Sequence, residues 1–193
     1  MTRTTRFSRL FGSWIGVGVG ISLLIRAELG VAPFDVLTTG VHRTVGWSLG
    51  LSFIVVSVIF YGIGAALGGK LGWACLPGTV AIGQVVDLLL PHVPELHALA
   101  PRVGAWTLAV AIIGVSVCLV ITTELGPGPS EVVMLGLVHH RMGIVPARWI
   151  SDGTPVVLGA LIGGSLGVGT VVFALVLGPM VKFGLRRLHY TPR

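Results

Sequence analysis

Long uncharged stretches alternate with short polar segments along the whole chain. The uncharged runs cover residues 10–25, 44–69, 103–123 and 153–181, and the run 71–90 holds one charge, at Asp87. A helix needs about 20 mostly apolar residues to cross the hydrocarbon core of a bilayer. The run 153–181 is too long for one helix, so we divide it at its glycine-rich centre and extend its first half back to Pro146, a residue type common at helix starts. The pattern predicts six spans, near residues 9–27, 47–68, 72–91, 104–124, 146–165 and 168–188.

The composition excludes a soluble domain. Hydrophobic residues make up 53% of the 193 residues and charged residues 10%, whereas soluble domains carry about 25% charged residues. Mean hydropathy is +0.95. The 29 glycines are typical of membrane helices that pack closely through small residues. We therefore expect an all-α fold, a polytopic membrane helix bundle that forms a single membrane domain over residues 1–193.

The first span also has features of a signal peptide, because Arg3, Arg6 and Arg9 precede its apolar core. No small-x-small cleavage site follows cleanly. The span also has a counterpart in the second half of the chain. We therefore predict that it is kept in the mature protein.

Two segments of the chain recur in one register. Residues 28–40 (ELGVAPFDVLTTG) recur as residues 124–136 (ELGPGPSEVVMLG), with six of thirteen positions identical. The glycine-rich segment 68–72 recurs as 163–167 at nearly the same offset. A fixed offset at separate matches indicates an internal duplication. We assign repeat one to residues 9–91 and repeat two to residues 104–188.

Each repeat also contains a short segment after its first span, at residues 33–45 and 129–143. Both segments begin with proline near an acidic residue, as helix N-termini do, and both are too short to span a bilayer. They could lie at the interface or enter the membrane as re-entrant helices. With three spans per repeat, the second repeat inserts from the opposite side, which gives the inverted repeats found in many transporters. If the short segments crossed the membrane, each repeat would have four spans and the repeats would be parallel.

Basic residues indicate the orientation. With the N-terminus in the cytoplasm, ten lysines and arginines fall on the cytoplasmic side and three on the outer side, as the positive-inside rule requires. The cytoplasmic set is Arg3, Arg6, Arg9, Lys70, Arg141, Arg148, Lys182, Arg186, Arg187 and Arg193, and the outer set is Arg26, Arg43 and Arg102. We expect a multi-pass protein of the bacterial plasma (inner) membrane, surrounded by lipid bilayer, with both termini cytoplasmic. The basic residues form no exposed patch, which argues against nucleic acid as a partner.

The segment Glu-Leu-Gly-x-x-Pro-x-Asp-Val of residues 28–36 resembles the signature of the YczE/YyaS/YitT family of small bacterial integral membrane proteins. The segment Gly83-Gln-Val-Val-Asp87 lies near the position of a Gly-Pro-x-x-Asp pattern in that family, and Gln84 departs from it because proline is usual there. The resemblance covers residues 10–188. It implies an integral plasma-membrane protein and adds little about chemistry.

Ionisable residues inside a bilayer are costly and are functional candidates by default. Glu28 matches Glu124 in the repeat, and Asp35 matches Glu131 in charge. In the functional interpretation, the two loops form polar sites near opposite faces, where freed backbone groups and the N-terminus of the short helix bind a solute or ion. In the structural interpretation, Asp35 and Glu131 favour the dipoles of the short helices, and Glu28 and Glu124 cap a tight turn.

Three further polar residues complete the candidate site. Asp87 could serve a proton or ion relay, or form a salt bridge with Arg26 or Arg102. Gln84 lies in the same helix. Asp152 follows Arg148 by four residues, so a local ion pair is expected.

The sequence carries no signature of catalysis. It lacks Gly-x-Ser-x-Gly, His-Glu-x-x-His and a phosphate-binding loop, so we expect no enzyme, no cofactor and no metal site. The leading hypothesis is a small-solute or ion permease with inverted repeats. A homodimer is a further expectation, because six short helices enclose little volume. The alternative is a non-transporting accessory or scaffold protein of the membrane.

Overall fold

The computed structural model describes residues 3–188, and within that range every regular element is helical. The helices are α1 (Arg3–Ala27), α2 (Pro33–Val45), α3 (Leu49–Ala66), α4 (Cys75–Leu89), α5 (Leu99–Thr123), α6 (Pro129–His139), α7 (Ile144–Leu161) and α8 (Val168–Arg187), with a 3₁₀ turn at Leu90–His92. Arg193, counted above as cytoplasmic, lies outside the described residues, as does the side chain of Arg3.

Five helices are long and apolar enough to cross a membrane. They are Thr4–Ala27, Leu49–Ala66, Cys75–His92, Leu99–Thr123 and Val168–Arg187. The protein is therefore a multi-pass helical membrane protein. The remaining long helix, α7, is 18 residues long and holds Arg148 and Asp152 in its first half, so the sixth span stays a prediction.

Sequence patterns set most helix boundaries. Pro33 opens α2, and Gly46, in the left-handed region at φ 78°, ends it. The second short helix ends at His139, earlier than the predicted residue 143, because the chain turns there, with Arg141 at φ 65°. Helix α7 consequently begins at Ile144, two residues before Pro146.

Helices α1 and α5 pack antiparallel at the centre of the bundle. Arg6 and Arg9 at the start of α1 bond to Thr123 and Thr122 at the end of α5, and Arg102 near the start of α5 bonds to the carbonyl of Ala27. Small residues permit the close approach, since a Cβ on Gly20 would meet Ile113. Helix α4 packs on α1, and α8 packs on α5.

The bundle has two ends, named here after the glutamate in the loop that each contains. At the Glu28 end, α1, α4 and α7 finish and α3, α5 and α8 begin. At the Glu124 end the pattern is reversed. Each short helix packs against a long helix of the other half, α2 on α7 and α6 on α3.

The loops at the two ends make matching contacts. The Gly169 amide donates to the Leu29 carbonyl (2.7 Å), and the Ala74 amide donates to the Leu125 carbonyl (3.2 Å). A Cβ on Gly167 would overlap the Leu29 carbonyl, and a Cβ on Gly72 would overlap the Leu125 carbonyl. Each Glu-Leu-Gly loop is thus held by the glycine-rich turn of the opposite half.

This contact predicts that alanine is not tolerated at either glycine-rich turn. Gly72→Ala and Gly167→Ala should each lower stability by about 1–3 kcal/mol, because an inserted methyl group must displace packed backbone. Gly62→Ala is the matched control, since a Cβ there meets nothing within 4 Å. Thermal melts of the purified protein, followed by circular dichroism, measure the effect. Equal melting temperatures for all three variants would contradict the contact.

Candidate functional site

Glu28 and Glu124 both lie in the left-handed backbone region, at φ 51° and 53°. This conformation is uncommon for residues other than glycine, and it reverses the chain directly after α1 and α5. The next carbonyls, of Leu29 and Leu125, are already bonded to Gly169 and Ala74. These two carbonyls are therefore engaged within the fold and not directed at a ligand.

The glutamate side chains themselves are exposed at the bundle ends. Glu28 Oε2 lies 3.3 Å from Arg102 Nη2, and the Glu28 side chain is 71% exposed. Glu28 also borders a shallow pocket, whose other lining residues are Ile25, Arg26, Glu95, Leu96 and His97. The site expected at the two loops therefore lies at the surface at both positions.

Asp87 has a structural role at the start of α3. Its carboxylate accepts hydrogen bonds from Ser48 Oγ (2.6 Å) and from the Gly50 amide (2.7 Å). It thus caps an N-terminus from a neighbouring helix, where negative charge is favourable. The salt bridge considered with Arg26 or Arg102 does not form, because these arginines pair with Glu95 and Glu28.

Gln84 is exposed on the outer surface of α4. It does not join the other candidate residues. The geometry gives it no part in a shared site.

Glu131 and Asp152 come together at Arg148. The Arg148 Nε–Asp152 Oδ2 distance is 2.5 Å, so the predicted ion pair one turn apart is present. Arg148 Nη1 also lies 3.4 Å from Glu131 Oε1, and the side chains are 28–39% exposed. This triad joins α6 to α7 and carries one net negative charge when all three groups are ionised.

Asp35 is buried, with 4% of its surface exposed. Thr38 Oγ1 donates to its carboxyl at 3.5 Å, and within residues 3–188 it has no ion pair. Burial raises the pKa of the Asp35 carboxyl well above that of a carboxyl in water, and the Thr38 hydrogen bond opposes this. Among the candidate residues, Asp35 is buried and the triad is partly buried, whereas the glutamates of the two loops are exposed.

Comparisons with known proteins place the chain in a family. Residues 4–186 match the family described as "Family of unknown function (DUF6198)". The chain belongs to this family.

Three relatives match most of the chain. It is 27% identical to an uncharacterised protein of Haemophilus influenzae over 91% of this chain and 81% of the relative. It is 26% identical to the uncharacterised membrane protein YczE of Bacillus subtilis, over 93% of this chain and 85% of the relative. It is also 26% identical to YyaS of Bacillus subtilis, over 87% of this chain and 88% of the relative.

These relatives confirm the resemblance found in the motifs, and YczE supports a membrane location for the DUF6198 family member described here. No solved structure matches the chain.

Two features of the bundle were not predicted from the sequence, the buried hydroxyl of Ser57 and the ion pair between Glu131 and Arg148. Ser57, on α3, is fully buried, and its hydroxyl has no hydrogen-bond partner among the described residues. The link from Glu131 to Arg148 joins residues 17 positions apart, a spacing outside the i,i+3 and i,i+4 pairs that sequence can predict. Only the packing of α6 on α7 brings them together.

The triad predicts coupled effects of substitution. Arg148→Met should lower stability by about 1–3 kcal/mol, because two half-buried carboxylates lose their counter-charge. Combining it with Asp152→Leu should recover part of the loss, with a coupling energy of about 0.5–3 kcal/mol in a double-mutant cycle. Thermal melts measure both quantities, with Lys70→Met, in an exposed turn, as the control. Additive effects of the two substitutions would show that the ion pair is not formed.

Proposed function

We propose that this protein is a small-solute or ion permease of the bacterial plasma membrane, built from two inverted repeats of three spans. The proposal places both termini in the cytoplasm and takes α7 as the sixth span. It also takes a homodimer as the working unit.

The inverted-repeat part of the proposal is supported by the matching contacts of the two halves. Arg6 in α1 bonds to Thr123 in α5, and Arg102 in α5 bonds in the same way to Ala27 in α1. The first contact lies at the Glu124 end of the bundle and the second at the Glu28 end. The two glycine turns also match, because Gly68 and Gly163 have φ values of 85° and 79°. A pseudo-two-fold axis in the membrane plane accounts for both observations, and this arrangement is common in secondary transporters.

The permease part is carried by one observation, the burial of Asp35 at the start of α2. Ionisable groups in membrane-embedded positions usually lie on substrate, ion or proton pathways. Helix α2 is short and starts directly after the non-helical loop that follows α1. The half-helices that form transporter binding sites also start at interruptions of this kind. The half-buried triad provides a second polar group on the α6 side of the bundle.

The alternative of an accessory or scaffold protein is favoured by a different observation. Both loop carbonyls are bonded within the fold, and the pocket beside Glu28 is shallow. A protein of this kind would act through a partner in the membrane.

A transport measurement separates the two functions. Purified protein is reconstituted into liposomes and screened by solid-supported-membrane electrophysiology with monovalent ions, amino acids and sugars as probes. A permease should give a protein-dependent current with at least one probe, and Asp35→Asn should abolish it while Glu28→Gln and Glu124→Gln weaken it less.

Two results would contradict the permease. One is the absence of current with every probe from folded wild-type protein. The other is a current that survives Asp35→Asn together with Glu28→Gln and Glu124→Gln. Recovery of one stoichiometric partner by crosslinking in cells, together with no current, would favour the accessory function.

A further inference from the structure

The seven acidic residues of the chain all lie within the described range. Six of them are ion-paired, cap a helix or are exposed. Glu28 and Glu95 pair with Arg102 and Arg26, and Glu124 is exposed at its bundle end. The other three settings are described above: Asp87 caps α3, and Glu131 and Asp152 share Arg148. Asp35 is the exception, because it is buried without a counter-charge.

In the second half of the chain, the acidic residue at the corresponding position has a positively charged partner. Asp35 corresponds to Glu131. In the register of the glycine turns Gly68 and Gly163, which is one residue shorter, Phe53 and Ser57 correspond to Arg148 and Asp152. Helix α2 packs on α3 as α6 packs on α7. Where the second half has a guanidinium between two carboxylates, the first half has a phenyl ring, a hydroxyl and one carboxyl.

The first turn of α2 packs on α3 through aromatic rings. The ring of Phe34 lies edge-on to both Phe53 and Phe60, with centroid distances of 5.8 and 5.2 Å. These apolar rings lie beside the turn that contains Asp35. The one side-chain hydrogen bond to the Asp35 carboxyl within residues 3–188 comes from Thr38 on α2 itself.

Among the described residues, no basic side chain forms an ion pair with Asp35. On α2 itself, the His42 ring bonds to the Trp47 carbonyl. On α3, the Tyr61 hydroxyl donates to the Cys75 carbonyl and accepts a hydrogen bond from Thr79. On α7, Arg148 lies at the far end of the helix from the contact with α2, and on α8 Lys182 lies toward the Glu124 end. Arg43, at the far end of α2, bonds to Gly163 and Ser165.

An ionised carboxylate in an apolar interior without a partner costs several kcal/mol, and such groups usually become neutral. A metal ion would need several oxygen ligands. Among the described residues, Asp35 belongs to no cluster of three or more His, Cys, Asp or Glu side chains that could hold a metal ion. A single buried carboxyl suits a proton better than a metal ion.

We propose that Asp35 is a proton-binding site, with Thr38 as its hydrogen-bonding neighbour. In the packed state an O–H bond is formed on one carboxyl oxygen with a proton taken from water. The proton returns to water when α2 separates from α3 and α7. If the protein is the permease proposed above, this site identifies the proton as its coupling ion, but proton binding itself does not depend on transport.

Infrared spectroscopy of the reconstituted protein tests the proposal, because the carbonyl stretch of a protonated carboxyl is separate from that of a carboxylate. Wild-type protein at neutral pH should show a protonated-carboxyl band. Asp35→Asn should remove this band, and Glu95→Gln, the exposed control, should retain it. Thermal melts confirm that each variant is folded.

Two further variants keep the test independent of Asp35 itself. Thr38→Val should move the band to higher frequency, because the hydrogen bond from the Thr38 hydroxyl to the carboxyl is lost. Arg148→Met should add a second protonated band, because Glu131 and Asp152 then share no guanidinium.

The proposal is overturned if the neutral-pH band is absent from wild type or persists in Asp35→Asn. It is also overturned if sodium ions abolish the band at constant pH, which would make the site one for an alkali ion. An unmoved band in Thr38→Val would remove Thr38 from the site. A band that behaves as expected in a protein without transport current would contradict the permease and leave the proton site standing.

Discussion

Where a helix ends against neighbouring helices, the backbone groups it releases must find hydrogen-bond partners, because burying them unpaired is costly. Here the interruptions after α1 and α5 are closed by the opposite half of the chain. Leu29 is bonded to Gly169, and Leu125 to Ala74. Because glycine lies at the points of contact, backbone meets backbone directly. The short helices α2 and α6 start from these anchored loops, so their positions depend on this contact.

The two halves share this framework but differ in how they treat charge. The second half pairs Glu131 and Asp152 with Arg148, and the first half buries Asp35 with the Thr38 hydroxyl beside it. An ion-paired group stabilises one packing, whereas a buried carboxyl without a counter-charge is sensitive to protonation. Under the proposals above, the second half is fixed and the first half responds to protonation.

Hydropathy predicted the five apolar helices, because burial in lipid requires long uncharged runs. Pro33 predicted the start of α2, because proline acts through local backbone geometry. The environment of Asp35 could not be predicted, since the buried face of α2 is set by Phe53 and Phe60 on another helix. The hydrogen bond from Trp106 to the Gly30 carbonyl, at 3.0 Å, is likewise set by tertiary packing alone.

The proposed opposite insertion of the two halves can be tested at one matched pair of exposed positions. Thr44, in the last turn of α2, and His140, directly after α6, occupy corresponding places in the two halves, and the native Cys75 and Cys118 are buried. Thr44→Cys and His140→Cys are labelled separately with a membrane-impermeant maleimide in intact cells and in inverted vesicles. The account predicts labelling of Thr44→Cys only from outside and of His140→Cys only from the cytoplasmic side. Labelling of both from the same side would contradict it, because the repeats would then be parallel.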